Sequence, residues 1–207
     1  MPTPTLLEQI AEHGNRYLEA LAAQEKAERE LIQDAKRLRD FCEIITLRHT
    51  PYDVVVEKLL HLGCSAFDLD IGVLAKVEGD AYIIEAILWP GGELHPGWQC
   101  PLSETVCKEI VDTQDVVSFV NAEPLGRKNT PAYARWGIES YHGAPVTMGN
   151  EKFGVLCFCS IAPKPVEFTD SDKNWLRLMA QWIATEGERI RNERILTDLI
   201  AAHLLAK

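Results

Sequence analysis

Apolar positions along this chain repeat in two rhythms, one of three and four residues and one of two. From Leu6 to Leu47 the spacing is helical. Ile10, Gly14, Tyr17, Leu21, Gln24, Glu28, Leu31, Ala35, Leu38, Cys42 and Ile45 alternate steps of four and three, a heptad seam with a polar break at Gln24 and Glu28. A helix that long cannot bury its stripe alone, so it calls for a partner helix. Thr50-Pro51 ends the segment, because the residue before proline avoids the α region. Tyr52 to Phe67 reads as a second helix with Val55, Leu59, Leu62 and Ala66 on one face. The rhythm then shortens. Ile71 to Val77 and Tyr82 to Leu88 predict a hairpin turning at Glu78-Gly79-Asp80. Leu94 to Leu102, broken by Pro and Gly, suits an edge strand, Ser103 a cap for a helix over 104–112, and Val116 to Val120 a short strand.

The most informative pattern lies between Gly137 and Asp172. Two apolar runs, Tyr141 to Met148 and Phe153 to Ile161, flank Gly149-Asn150-Glu151-Lys152 and predict a second hairpin. The later run is apolar on both faces, with Val155, Cys157, Cys159 and Ile161 on one and Leu156 and Phe158 on the other. Such a strand belongs in the middle of a sheet covered on both sides. Pro163 and Pro165 end it. Thr169 and Asp172 then form an approximate capping box for a long helix carrying Trp175, Met179, Trp182 and Ile183. Asn121 to Trp136 contains Pro124, Gly126, Asn129 and Pro131, which rule out a continuous helix. A connection of that length is usually functional or mobile.

The order of these pieces resembles a GAF domain, a small-molecule sensing module of bacterial signalling proteins such as sensor histidine kinases and diguanylate cyclases. The carrying residues are Gly137-Ile138, Ser140-Tyr141, Gly143, Pro145-Val146, the run Gly154-Val155-Leu156 with Phe158 and Ser160, and Phe168-Thr169 with Asp172. The resemblance spans residues 40–189, leaving 1–39 as an amphipathic coiled-coil helix and 190–207 as a signalling-helix extension. It implies an α/β (α+β) fold: a central antiparallel sheet of five or six strands, the N- and C-terminal helices on one face, and a ligand pocket on the other under a 121–136 lid. By that resemblance His95, Trp98, Cys107, Tyr133, Trp136 and His142 come from the pocket-lining segments, where apolar walls bind and a few polar groups orient. His142 shares its strand face with Ala144 and Val146, away from Tyr141.

Composition narrows the chemistry. The 207 residues suit one domain with extensions. A net charge of −10 with no offsetting basic cluster argues against general nucleic-acid binding and against an anionic membrane surface. No apolar run approaches the roughly 20 residues of a bilayer span, and the N-terminus has no secretory pattern, so a cytoplasmic location is expected. Six cysteines at irregular spacing, without CxxC, read as free thiols. GAF domains that attach a linear tetrapyrrole use a lid cysteine, and none lies between Cys107 and Cys157, which argues against a covalent bilin. A small molecule, haem and an iron–sulfur cluster all stay open, with Cys42, Cys157 and Cys159 the minor candidate metal set.

The expected function is that of a sensor, not an enzyme. It binds a small ligand under the lid and transmits through terminal helices paired in a homodimer to an output domain or kinase partner. The chain is either a stand-alone sensor or a piece of a longer receptor. Two alternatives stand beside it: a thiol-dependent reductase of the free methionine sulfoxide type using Cys107, and a ligand-free dimerisation scaffold.

Overall fold

The structure, a computed structural model, describes residues 6–47, 50–149 and 151–205. Residues up to 43 and residues from 44 onward form two separate compact units. The first is a helix, α1, which runs over Leu6–Ile45 and so crosses that boundary at its last turn. Along it Tyr17, Leu18, Leu21, Leu31, Ile32 and Leu38 are exposed.

The second unit holds a six-stranded sheet built from β1 (Ile71–Glu78), β2 (Ala81–Leu88), β3 (Gln99–Pro101), β4 (Val117–Phe119), β5 (Ser140–Met148) and β6 (Glu151–Ser160). Its order is β3-β2-β1-β6-β5-β4, and every neighbouring pair is antiparallel. The all-apolar run is therefore interior, bracketed by β1 and β5. Its side chains are buried from Gly154 to Ser160, while Ile161, one residue past the strand, is exposed. The preceding turn is tighter than the pattern suggested, since Met148 already pairs with Glu151, with Gly149 at φ +59°. Asn150 lies outside the described residues.

One face of the sheet is covered by α2 (Tyr52–Phe67) and α5 (Asp170–Leu205). The C-terminal helix α5 covers this face as expected, with α2 beside it. The buried residues of α2 are Val55, Val56, Leu59, Leu60, Gly63 and Phe67, so Val55 and Leu59 of the expected face are buried while Leu62 and Ala66 lie at its edge, partly exposed. Gly63 lets the helix approach the sheet closely. The Phe158 ring presses on the helix backbone there, and an added Cβ would lie 2.1 Å from that ring. The Tyr52 hydroxyl donates to the Ile183 carbonyl at 3.1 Å, tying α2 to α5. The capping box at the start of α5 is reciprocal. The Thr169 amide donates to Asp172 Oδ2 at 2.8 Å, and the Asp172 amide donates to Thr169 Oγ1 at 3.1 Å.

The opposite face carries α3 (Cys107–Thr113), packed on β5 and β6, and the segment 121–136 with α4 (Pro131–Trp136). Ser103 does not cap α3. Residues 102–104 form a 3₁₀ turn closed by the Thr105 hydroxyl donating to the Leu102 carbonyl at 2.8 Å, and α3 begins only at Cys107.

Candidate functional site

A cavity of about 70 Å³ lies between the sheet, α3 and α4. Its floor is the buried set Tyr82, Cys107, Tyr141 and Cys157, and its outer side the partly exposed Trp89, Leu94, Trp98 and Trp136. The polar groups that reach it are hydroxyls and thiols. For scale, an engineered cavity of about 150 Å³ holds benzene, so this space as it stands suits a molecule of a few heavy atoms.

Strand alternation positions the floor. Tyr141 and Cys157 both face α3, because Tyr141 pairs with Cys159 and Gly143 with Cys157. Gly143 leaves room for the Tyr141 ring, since a Cβ there would sit 2.7 Å from the Tyr141 hydroxyl and 2.6 Å from Ile110. The Tyr141 hydroxyl thereby comes within 3.1 Å of Cys107 Sγ, and Cys157 Sγ lies 3.8 Å from the same sulfur. The Cys157 thiol beside it holds the Cys107 thiol below its ordinary value, against the effect of burial, and the Tyr141 and Tyr82 hydroxyls assist. The Thr105 hydroxyl is already committed to Leu102. Cys157 keeps its proton, pushed well up by its bond to Cys107 and by burial. Burial raises both tyrosines and Cys159.

The lid has more order than its Pro and Gly content suggested. Thr130 caps α4 by accepting from the Tyr133 amide at 3.2 Å, Pro131 takes the first helical position, and Gly137 closes the helix at φ +60°. Side chains of Arg127, Arg135 and Trp136 fasten it. Arg127 reaches both carboxylate oxygens of Glu109 on α3, at 2.8 and 3.3 Å, with its guanidinium over the Phe119 ring. Trp136 Nε1 donates to the Glu104 carbonyl at 3.0 Å. Trp136 also meets Trp98 edge-on at 5.5 Å, and Arg135 lies over both indoles while paired to Glu104 at 2.7 Å.

Of the six residues expected to line the pocket, the structure brings Trp98, Cys107 and Trp136 to one cavity. The other three lie elsewhere. His95 is exposed and bonded to the adjacent Pro96 carbonyl. Tyr133 lines a separate hollow between α3 and the lid, its hydroxyl donating to Glu139 at 2.5 Å. His142 is buried on the helix side of the sheet. It stacks on Phe168 at 4.4 Å, donates from Nε2 to the Asp172 carbonyl at 3.2 Å and faces the Ser118 hydroxyl at 2.7 Å. Burial holds its pKa down at about 4. Tyr82, Tyr141 and Cys157 were missed, although the alternation that turned His142 away from Tyr141 was the signal that could have found Tyr141. The candidate metal set does not assemble. Cys157 and Cys159 face the cavity, Cys42 is exposed in the N-terminal unit, and no cluster of three or more His, Cys, Asp or Glu side chains forms among the described residues. No helix among them is long and apolar enough to cross a membrane.

Solved structures share this fold. The GAF domain of an Acinetobacter phosphoenolpyruvate-protein phosphotransferase superposes with a TM-score of 0.61 at 16% identity, covering 80% of this chain and 98% of that one. Free methionine-R-sulfoxide reductase from Neisseria meningitidis, in complex with its substrate, gives 0.59 at 15% identity, over 76% and 93%. The phycocyanobilin-bound GAF domain of a cyanobacterial phytochrome gives 0.60 at 13% identity, over 77% and 96%. No curated protein matches the sequence. The model of the GAF domain family matches residues 51–186, the span that holds the whole sheet, α2, the first half of α5 and the lidded cavity, and with that the chain belongs to the GAF domain family of sensory and regulatory modules.

Proposed function

We propose that this chain is a signalling sensor that binds a small, largely apolar ligand in the cavity beneath the 121–136 lid. The observation that carries this reading is the position of Trp136. One indole closes the cavity, bonds Glu104 and packs on Trp98, so a molecule that fills the space must engage the lid. A ligand of more than a few heavy atoms has to displace that indole. A tetrapyrrole or haem would need the lid removed altogether, and the lining offers no histidine as an axial ligand.

The path outward runs through β5. Tyr141 faces the cavity, and its neighbour His142 faces α5, bonded to the Asp172 carbonyl in the first turn of that helix. A shift of β5 therefore acts on the base of α5. Beyond Arg191 the exposed Ile195, Leu196, Leu199, Ile200 and Leu204 continue along α5, as Tyr17, Leu21, Leu31 and Leu38 do along α1. Two such stripes suit pairing in a cytoplasmic homodimer. A ligand moves this system only through its differential affinity for two states.

The test pairs thermal shift with spin labels at Leu196, screening small apolar molecules. A stabilising ligand that changes the label–label distance supports the reading. Binding with unchanged distances removes the transmission step, and no stabilisation by any compound leaves a ligand-free scaffold. Cys107 in the cavity wall also keeps a thiol reductase in view. Turnover of free methionine sulfoxide, abolished by Cys107→Ser, would support that activity.

A further inference from the structure

Two thiols and two phenols converge at the floor of the cavity. Cys107 and Cys157 come from different elements, α3 and β6, separated by 50 residues, yet their sulfurs are 3.8 Å apart. The Tyr141 hydroxyl is 3.1 Å from Cys107, and both cysteines line the space, as does Tyr82. In a core packed only for stability, a buried cysteine behaves as a small apolar residue with no need of hydroxyl donors. Here a hydroxyl, that of Tyr141, lies against one sulfur of a pair.

We infer that Cys107 and Cys157 form a reactive dithiol, oxidised to a disulfide by a small hydroperoxide that enters the cavity. The thiolate is the nucleophile in such chemistry, and groups that donate hydrogen bonds to Cys107 favour it. Cys107 sulfur attacks one oxygen of the hydroperoxide. An S–O bond forms, the O–O bond breaks, and the alcohol (water, for hydrogen peroxide) leaves with the Cys107 proton. Cys157 sulfur then attacks the sulfenic acid. An S–S bond forms, the S–O bond breaks, and water leaves with the Cys157 proton. The two thiols lose two electrons and the hydroperoxide gains them. The sulfurs must close by roughly 2 Å to reach bonding distance. The limited cavity admits a two-oxygen oxidant while holding back bulkier ones.

Cys159, on the same strand and facing the same space, is the internal control, since no bond to another sulfur or hydroxyl draws it into the pair. The inference uses the cavity but not the signalling reading. A chain that binds ligands yet resists peroxide overturns only the dithiol, and one that oxidises without moving its helices overturns only transmission.

The experiment exposes the reduced full chain to hydrogen peroxide at neutral pH, quenches with acid, then denatures, alkylates, digests and weighs the peptides. The expected product links the Cys107 and Cys157 peptides, two hydrogens lighter than their sum. Dithiothreitol reverses it, and Cys159 is alkylated. In Cys157→Ala, dimedone labels Cys107. In Cys107→Ala, Cys157 stays reduced. If both residues are alkylated after exposed Cys42 has been oxidised, or if the link joins other cysteines, the inference is overturned. The unmutated chain carries that result alone, whatever the variants do to folding.

Discussion

The two faces of the central sheet share the same strands and are built to opposite ends. Toward α2 and α5 the surface around Phe158 is filled, and a hollow opens only farther along, among Tyr52, Leu74, Met148 and Gly187. Phe158 presses on Gly63, His142 lies against Phe168 and Phe67, and each ring nitrogen of His142 has a partner. Toward α3 and the lid, the intervening residues Tyr141 and Cys157 border a void and present hydroxyl and thiol groups. Adjacent positions on one strand thus divide the work. Close packing gives rigidity, and a site that must admit another molecule gives up some of it.

The comparison breaks most visibly at Phe158. Phe158→Ala empties a closed packing site and should destabilise the protein by about 3–5 kcal/mol. In a chain of this size that lowers the midpoint by roughly 10 °C, readable by calorimetry. Cys157→Ala, one residue away on the open face, should cost far less. If the two losses are equal, the distinction between faces fails.

His142 comes next. Its folded pKa of about 4 lies below the unfolded value of about 6.5, so between those values the unfolded chain binds more protons than the folded one. Its contribution is fully present above pH 6.5 and is lost as pH falls toward 4, a total of about 3 kcal/mol. Urea midpoints from pH 7 to 4.5 should fall more steeply in the parent than in His142→Gln. Parallel profiles would show that the ring charges freely in place.

The smallest effect is expected at the lid. Trp136→Phe keeps a ring over the cavity but loses the bond to the Glu104 carbonyl, at a cost of about 1 kcal/mol. Its sharper consequence is local: amides of 132–136 should exchange faster while those of β6 do not change. Uniform acceleration would mean the lid is part of the core.

The sheet was readable because each strand carries its own evidence. Alternation, the glycine turns and the Thr169–Asp172 box are local, and the hairpins, the interior place of β6 and the start of α5 followed from them. The site was less readable because a face can be assigned only relative to another residue. The pattern put Cys157 and Cys159 on one side and His142 opposite Tyr141, but nothing local says which side is hollow. That is how His142 entered the pocket set and Tyr141 did not. The 3.8 Å meeting of Cys107 with Cys157 depends on packing α3 against β6, a long-range fact with no spacing signature. In the lid, the Thr130-Pro131 cap and Gly137 were present as start and stop signals, but a helix of six residues has too little periodicity to announce itself.

The claim on which the rest depends is that the sheet around β6 borders an apolar void on the side of α3 and none on the side where Phe158 meets α2. Methyl NMR under xenon pressure tests it directly, because xenon enters apolar voids and shifts the methyls around them. The account predicts saturable shifts at Ile71, Val73 and Ile84, with Leu59, Leu60 and Leu156 unmoved. Shifts at Leu59, Leu60 and Leu156, or none at Ile71, Val73 and Ile84, would contradict it.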